Sequence, residues 1–201
     1  APMVIFWEIT RACALVCRHC RALAQAKRHP LELTTEEGFR LLDQMAEFGN
    51  RPIVIITGGD PLMRRDVFDF ISYGLDKGLI VSLSPAATAL VRPDTLRWLK
   101  EAGLSRLSFS LDGARPESHD TFRGIPGSFQ RTQECMADAV EAGLSLQINT
   151  TVTRHSLPEL QAVAEIVEGS GAVVWDLFFL VPTGRALEED MISPQEHEQV
   201  F

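Results

Sequence analysis

Residues 13–20 read CALVCRHC, so that Cys13, Cys17 and Cys20 lie on one short stretch directly after an apolar run at residues 4–7. A loop of this length folds back on itself easily, and its three thiolates can converge on one metal centre. A structural zinc site takes four protein ligands, usually as two pairs, and no second cysteine pair follows. Iron–sulfur clusters are also held by cysteines at short spacings. Three cysteines on a four-iron cluster leave one iron open to another ligand.

Two other interpretations of the same cysteines stay open at this point. Two of the thiols can form a disulfide and leave the third free, or His19 or His29 can complete a zinc site. The fourth cysteine, Cys135, falls on a predicted helix among residues with packing spacing. We interpret Cys135 as a buried structural thiol.

Composition and charge narrow the class of protein. The chain has 201 residues, 45% of them hydrophobic, which suits one domain with a substantial core. No apolar run approaches the roughly 20 residues of a membrane span, and the N-terminus lacks a signal-peptide pattern. Four cysteines, three of them clustered, suit a reducing cytoplasm, and the net charge of −8 disfavours nucleic acid as a partner. The chain starts without Met, and a helix opens at Ser193, so we expect truncation at both ends.

Strand-like and helix-like segments alternate along the whole chain. The helix-like segments have apolar residues three or four positions apart, and a glycine suited to a left-handed cap follows most of them. The unit repeats about five times and a sixth begins, which predicts an α/β fold with parallel strands and right-handed crossovers. The β-rich runs are residues 4–9, 52–57, 79–83, 106–111, 145–152 and 173–181, and the glycines are Gly49, Gly78, Gly103, Gly143 and Gly171.

Local signals place the helix starts but do not fix how the sheet closes. Residues 114–127 are expected to form a long loop before the fourth helix. No G-x-G-x-x-G follows the first strand, which disfavours a dinucleotide-binding sheet, yet an open sheet and a barrel both satisfy the pattern. In either arrangement, active-site groups gather at the carboxyl ends of the strands. Three capping boxes are predicted: Thr34 with Glu37, Ser156 with Glu159, and Ser193 with Glu196.

The cysteine spacing, with three intervening residues and then two, resembles the signature of the radical S-adenosylmethionine (SAM) superfamily. The resemblance implies that Cys13, Cys17 and Cys20 hold a 4Fe–4S cluster whose open iron binds SAM. It also implies a partial (β/α)6 barrel of parallel strands, with residues 1–201 as one core domain whose sixth helix begins near residue 193. His19 takes the place of a residue that is often aromatic in the family and packs near the adenine, and an imidazole can still stack.

Motifs after the second and third strands fit the same resemblance. Residues 58–61, GGDP, resemble the family's G-G-E-P segment, whose backbone binds the methionine amino group of SAM, and paired glycines let a backbone approach a ligand closely. Ser84 takes the place of a polar residue near the cluster or the methionine group, although Pro85 departs from the family pattern. The resemblance assigns the whole second segment to the cofactor site: Gly58, Gly59, Asp60 and Pro61.

In the fourth strand, alternation places Ser108, Ser110 and Asp112 on one face, where small polar groups need partners. The segment resembles the family's S-x-D-G motif, which implies that Ser110 contacts the methionine portion or the ribose of SAM. Asp112 either joins this site or caps the next turn. Residues 119–124, HDTFRG, resemble the H-D-x-x-R-G segment of enzymes that modify peptides and tetrapyrroles. By that match Arg123 pairs with the SAM carboxylate, or else it holds the loop against the barrel.

The last two strands supply three further candidates. Polar side chains alternate along the fifth strand, and Asn149 is the candidate for a ribose or carboxylate contact. Residues 182–186, PTGRA, resemble the P-x-G-R-[AG] segment of the haem-biosynthesis branch. Val181 then offers its backbone to the adenine, and Arg185 faces the substrate or the rim of the barrel.

Together these motifs imply a radical SAM enzyme. A flavodoxin- or ferredoxin-like protein delivers an electron, SAM is cleaved reductively to methionine and a 5′-deoxyadenosyl radical, and the radical abstracts hydrogen from the substrate. The motif set resembles enzymes that act on haem precursors, quinone cofactor precursors or ribosomally made peptides. The expected substrate is therefore a tetrapyrrole, a cofactor precursor or a peptide. Two alternatives remain: a non-catalytic iron–sulfur or zinc-binding module on a (β/α) scaffold, and a cofactor-free (β/α) binding domain.

Overall fold

Six parallel β-strands form the centre of the structure, a computed structural model that describes residues 1–200. The strands follow one another in chain order across the sheet, so that the first and the last are its edges. The strand order never reverses, unlike that of a doubly wound sheet. The sheet is a half-barrel, and this part of the prediction is confirmed. Its strands are β1 (Val4–Glu8), β2 (Ile53–Thr57), β3 (Ile80–Leu83), β4 (Arg106–Ser110), β5 (Leu146–Val152) and β6 (Val174–Phe179).

Helices fill the connections between the strands and cover the outer face of the sheet. Within residues 1–200, no helix is long and apolar enough to cross a membrane. Three short 3₁₀ turns lie at Pro61–Met63, Leu157–Glu159 and Glu188–Asp190. The α-helices of this part of the chain are α1 (Thr35–Ala46), α2 (Val67–Asp76), α3 (Pro93–Glu101), α4 (Pro116–Arg123), α5 (Ser128–Glu141), α6 (Leu160–Gly169) and α7 (Pro194–Val200).

Each strand turns alternate side chains toward the helices and toward the concave face of the half-barrel. Trp7 of β1 packs against Phe70 of α2, with ring centroids 4.9 Å apart. Val54 and Ile56 of β2 are fully buried on the same helix-covered face. Burying a side chain of this size contributes about 1.5–3 kcal/mol, so this face carries the hydrophobic core. Phe6 points the other way, toward the concave face, and is 57% exposed.

Most of the predicted helix-end signals are confirmed. Thr34 and Glu37 bond reciprocally at the start of α1, and Ser193 and Glu196 do the same at the start of α7. The five glycines that precede strands all have φ between +72° and +84°, the left-handed region in which glycine is favoured. These signals were readable because each involves residues only a few positions apart.

Two local predictions are wrong. Residues 114–127 are not one continuous loop, because α4 starts with a proline at its first position and ends at Gly124 with φ of +73°. Ser156 and Glu159 do not form a capping box. The Ser156 hydroxyl bonds the loop after β5, and the Glu159 carboxylate accepts hydrogen bonds from the start of α4. Partners more than 40 positions away take the Glu159 carboxylate, and residues just before Ser156 take its hydroxyl.

Gly38 in α1 tests the packing of the helices on the sheet. A Cβ at this position would overlap the buried Phe70 ring and would lie 3.2 Å from the Trp7 ring. Gly169, the last residue of α6, is a matched control because a Cβ there meets no atom within 4 Å. We expect Gly38→Ala to lower the free energy of unfolding by about 1–3 kcal/mol through overpacking. Gly169→Ala should leave it unchanged or raise it slightly. Urea unfolding measures both, and equal stability of the two variants would contradict the packing described.

Candidate functional site

The three clustered cysteines lie on a loop, residues 10–25, that leaves the carboxyl end of β1; we call it the cysteine loop. The Cys13 N–H donates to the Gln25 carbonyl at 2.8 Å, which ties the loop to its own return segment. The N–H groups of Val16 and Arg18 donate to carbonyls at the end of α4, at 3.2 and 2.8 Å. The loop has little regular structure, so these neighbours determine its shape.

The three thiols are unpaired and partly supplied with hydrogen-bond donors. Cys13 and Cys17 are buried and Cys20 is half-buried, and none of them forms a disulfide. The N–H of Leu15 donates to the Cys13 sulfur, and the N–H of Ala24 donates to the Cys20 sulfur, each at 3.3 Å. Burial raises the pKa of the Cys13 thiol to about 11, so a bound cation is needed to make it a thiolate at neutral pH.

The zinc interpretation gains no support from the structure. Within residues 1–200, no group of three or more His, Cys, Asp and Glu side chains is arranged to hold a single metal ion. His29 lies on the far part of the same connection, where its Nδ1 accepts a hydrogen bond from the Leu31 N–H at 3.2 Å. In a 4Fe–4S cluster each thiolate binds a different iron, so its ligands need not converge on one point.

The GGDP segment after β2 lies directly against the cysteine loop. The N–H of Gly59 donates to the Thr10 carbonyl and the N–H of Asp60 donates to the Ala12 carbonyl, both at 2.7 Å. A Cβ on Gly58 or Gly59 would overlap the backbone of the loop, so only glycine allows this approach. In the described part of the chain, no hydrogen bond reaches the carbonyl oxygens of Gly58 and Gly59. These two oxygens are free to accept from a ligand ammonium.

The Asp60 carboxylate links the loop after β2 to the loop after β3. It is fully buried, accepts from the Leu62 N–H at 3.1 Å and accepts from the Thr88 hydroxyl, on the loop after β3, at 3.1 Å. Burial raises the pKa of Asp60 to about 6, although the hydrogen bonds that the carboxylate accepts act to lower this pKa. Pro61, also buried, starts the short turn that Asp60 caps. Both residues therefore shape the loop that presents the two glycine carbonyls.

Ser84 directly follows β3, Ser110 is the last residue of β4, and Asn149 lies in the middle of β5. Ser110 is the register partner of Asn149 and lines a small cavity of about 20 Å³ beneath the cysteine loop. The Asn149 side-chain oxygen accepts a hydrogen bond from the Gln147 amide at 2.8 Å, which leaves the Asn149 NH₂ to donate to a ligand. Val181 lies beyond β6, is 63% exposed and already uses its carbonyl as an acceptor for a backbone N–H.

Arg123 is the residue that connects the thiols to the end of β4. Its Nη1 lies 3.6 Å from the Cys17 sulfur, and its Nη2 lies 2.5 Å from the buried Asp112 carboxylate. The Thr151 N–H donates to the other Asp112 oxygen at 2.7 Å. Burial alone would raise the pKa of Asp112, but the Arg123 guanidinium holds this pKa below its usual value. Asp112 thus lies beside Arg123, and its role in the cofactor site stays a prediction.

His19 lies parallel to the Phe122 ring of α4, with ring centroids 4.4 Å apart and an angle of 4° between the planes. Burial lowers the pKa of His19 to about 4, so the ring is neutral at physiological pH. The imidazole does stack, as expected, but its stacking partner in the protein is Phe122. A contact between His19 and adenine stays a prediction.

Sequence reasoning missed the role of the PTGRA segment. The Arg185 guanidinium donates to the carbonyls of Cys17 at 2.8 Å and Ala24 at 3.1 Å, and its own N–H donates to the Cys20 carbonyl at 3.1 Å. Gly184 packs so closely on this backbone that a Cβ would overlap it. Arg185 therefore holds the cysteine loop in place. The glycine followed by arginine in PTGRA was the sequence feature from which this role could have been predicted.

A second clamp on the cysteine loop had no sequence signal at all. Asp190 is buried and accepts two hydrogen bonds from the Arg18 guanidinium, at 2.8 and 2.7 Å. The same carboxylate lies 2.9 Å from Nε2 of His155, on the loop after β5. Arg18 and Asp190 are 172 positions apart, so only the folded chain brings them together.

Unsatisfied polar atoms concentrate at this site. Over residues 1–200, four buried side-chain polar atoms lack a hydrogen-bond partner: His19 Nδ1, Asp112 Oδ2, Arg123 Nη2 and Arg185 Nη2. Asp112 Oδ2 and Arg123 Nη2 form the ion pair described above, but their angle is too poor for a hydrogen bond. Each orphaned buried group costs about 1–3 kcal/mol. Such a cluster, together with three thiols and N–H groups aimed at sulfur, fits a bound polar cofactor on an iron–sulfur cluster.

Comparison with known proteins assigns the chain to a family. A model of the radical SAM superfamily matches residues 7–166. The chain belongs to the radical SAM superfamily. Proteins of this superfamily use a 4Fe–4S cluster and SAM, which agrees with the cofactors expected from the sequence.

Relatives agree with this assignment in both sequence and structure. The chain is 45% identical to AdoMet-dependent heme synthase of Nitratidesulfovibrio vulgaris, over 98% of this chain and 54% of that protein. It is 44% identical to the AdoMet-dependent heme synthase of Methanosarcina barkeri, over 100% of this chain and 57% of that protein. It thus spans about half the length of these relatives. The crystal structure of Streptococcus suis SuiB bound to precursor peptide SuiA matches with a TM-score of 0.83 at 16% identity, over 99% of this chain and 45% of that one, which shows the shared fold.

Gly59 tests whether the GGDP segment shapes the cysteine loop. A Cβ at Gly59 would overlap the Ala12 carbonyl oxygen and would lie 2.8 Å from that of Arg11. Because these are backbone atoms, Gly59→Ala should displace the loop, lower stability by about 1–3 kcal/mol and reduce the iron bound after anaerobic reconstitution. Thermal unfolding and iron analysis measure the two effects. The Gly169→Ala variant, with the same added methyl far from the site, should bind iron normally, and normal iron binding by Gly59→Ala would contradict the contact.

Proposed function

We propose that residues 1–201 are the core domain of a radical SAM enzyme that acts on a tetrapyrrole. The observation that carries the proposal is the convergence, on one three-cysteine loop, of the GGDP segment after β2, the end of α4 and the PTGRA segment after β6. Cys13, Cys17 and Cys20 would hold the cluster, which would supply the electron for the reductive cleavage of SAM and so the hydrogen-abstracting chemistry of the enzyme. The side chains of this chain bind, orient and shield these groups.

Different residues bind the cluster and SAM, according to the atoms that they offer. Cys13, Cys17 and Cys20 supply the three thiolates. The carbonyls of Gly58 and Gly59 accept from the SAM ammonium, because both oxygens are unused by the protein.

The remaining contacts surround the other parts of SAM. Ser84 and Ser110 offer hydroxyl groups to the methionine portion, and the Asn149 NH₂ donates to a ribose or carboxylate oxygen. Asp60 and Pro61 hold the GGDP loop in shape rather than touching the ligand through their side chains. His19 and the backbone of Val181 flank the adenine.

Arg123 contributes to SAM binding through its second nitrogen. The Nη2 atom is buried and lacks a well-aligned hydrogen bond, so it can turn toward the SAM carboxylate without leaving Asp112 altogether. A planar guanidinium suits carboxylate recognition. We also propose a cytoplasmic setting, with a flavodoxin- or ferredoxin-like protein as the electron donor, because the thiols and the cluster need reducing conditions.

The substrate class rests on the concave face of the half-barrel. Its polar half, on β4 to β6, carries Ser108, Gln147 and Asp176 and suits SAM. Its apolar half, on β1 and β2, exposes Phe6 by 57% in the middle of β1, and Val4 by 41% and Ile53 by 37% at the amino ends of the two strands. A flat apolar macrocycle with polar edges would cover both halves. The two heme synthases, at 44–45% identity, point to the same class.

Cys17 tests the cluster chemistry. After anaerobic reconstitution with iron and sulfide, Cys17→Ala should abolish the formation of 5′-deoxyadenosine from SAM and dithionite, because one cluster ligand is lost. Cys135→Ala is the matched control: Cys135 is fully buried in α5 and is not one of the three loop thiols, so this variant should retain activity. Chromatography measures the nucleoside, and circular dichroism verifies folding. An unchanged yield in Cys17→Ala would reject the proposed function.

Phe6 tests the substrate class. Replacing this half-exposed ring with serine removes apolar surface from the concave face but leaves the core intact, since Phe6 points away from the helices. We expect Phe6→Ser to weaken the binding of haem, used as the tetrapyrrole probe, about tenfold, equal to about 1.4 kcal/mol. Phe48→Ser, at a 48% exposed position just beyond α1, is the control and should bind normally. Fluorescence titration gives both affinities. Equal affinities would argue against a macrocycle on this face.

A further inference from the structure

The Arg123 guanidinium contacts a cysteine sulfur and a buried carboxylate at the same time. Its Nη1 lies 3.6 Å from the Cys17 sulfur, and its Nη2 lies 2.5 Å from Asp112 Oδ2. The Arg123 side chain is 12% exposed and the Asp112 side chain is fully buried. The Arg123 cation therefore lies between the Cys17 thiol and the Asp112 carboxylate inside the protein, where charges interact more strongly than in water.

Backbone hydrogen bonds hold Arg123 and Asp112 in position beside the cysteine loop. The Val16 N–H donates to the Arg123 carbonyl at 3.2 Å, so the end of α4 is fixed to the cysteine loop. Gly124 ends the helix in the left-handed conformation and packs against Val16. On the other side, the Thr151 N–H holds Asp112 Oδ1 at 2.7 Å. The backbone of Arg123 and the carboxylate of Asp112 are therefore both fixed beside the cysteine loop.

We propose that the Arg123–Asp112 pair tunes the reduction potential of the cluster held by Cys17. This inference rests on the proposed function, because it requires the cluster to be bound. Three thiolates give a 4Fe–4S cluster a net negative charge, and reduction by one electron from the donor protein adds one more. No bond is formed or broken in this step. A cation against one ligand sulfur stabilises the reduced state more than the oxidised state, and hydrogen bonds to sulfur act in the same direction.

The two members of the pair have opposite effects. Arg123 raises the potential, and Asp112 lowers it by neutralising part of the Arg123 charge. Other charges near the thiols do not cancel this effect. The Arg185 guanidinium donates to two backbone carbonyls of the cysteine loop, and its charge is the same in every variant compared below. The pair therefore sets an intermediate potential, so that the cluster is reducible by the donor yet still able to reduce SAM.

The test compares variants with opposite predicted signs. Arg123→Gln removes the cation and should lower the midpoint potential. Asp112→Asn keeps the acceptor for the Thr151 N–H, frees the Arg123 charge and should raise the potential. Each change is expected to alter the reduction equilibrium about tenfold, which is 59 mV for one electron. General damage to the site would move both variants in the same direction.

The measurement is an anaerobic redox titration of the reconstituted protein without SAM, followed by electron paramagnetic resonance. Arg123→Lys keeps the charge and should restore most of the potential, even if Arg123→Gln loads too little cluster to titrate. Arg131→Gln is the control, because Arg131 lies on α5 and donates to Thr88 and Val91 carbonyls rather than to a thiol.

The outcomes separate this inference from the proposed function. Opposite shifts in Arg123→Gln and Asp112→Asn, with Arg131→Gln at the wild-type potential, would support it. Unchanged potentials, shifts of the same sign, or a loss of SAM affinity with no change in potential would overturn it and leave the proposed function intact. A wild-type protein that assembles no cluster would overturn both.

Discussion

The hydrogen bonds from neighbouring segments to the backbone of the cysteine loop are the interaction on which the site depends. The loop has almost no secondary structure, and its buried polar groups must find partners elsewhere. The Gly59 N–H, the Arg185 guanidinium and the end of α4 supply them. Because these donors and acceptors come from three separate parts of the chain, the thiols are positioned by the whole half-barrel. Hydrogen bonds to the rest of the half-barrel thus hold the cysteine loop, which has no helix or strand of its own to do so.

The sequential strand order explains why so many ligand-facing groups meet at one place. In a parallel sheet all strands end at the same edge, and each strand of this half-barrel is followed by a different short motif. The alternation of side chains then divides the sheet into two faces with separate tasks. Residues such as Trp7 and Ile56 build the core, while Ser110 and Asn149 remain available to a ligand. Stability and binding are therefore encoded on alternate positions of the same strands.

Short-range signals made the fold and the cysteines predictable from the sequence. The period of two in the strands, the capping glycines and the cysteine spacing each involve residues close together; the strands and the glycine caps appear in the structure as expected, and the three cysteines are unpaired on one loop. The helix at 116–123 was missed because its polar sequence has no apolar stripe, and only Pro116 and Gly124 mark its ends. Ser156 and Glu159 have the spacing of a capping box, but each found a stronger partner elsewhere.

The loop-holding roles of Arg185 and Asp190 bear on how the protein is made. Arg185 reaches the Cys17 carbonyl across 168 positions, and Asp190 reaches Arg18 across 172. Loops of this length close late, since contacts distant in sequence form slowly. During translation the three thiols leave the ribosome long before the residues that clamp them. The GGDP segment and the end of α4 are made first, so the cysteine loop gains its contacts in stages and receives the last of them only when the residues after the sixth strand have been synthesised.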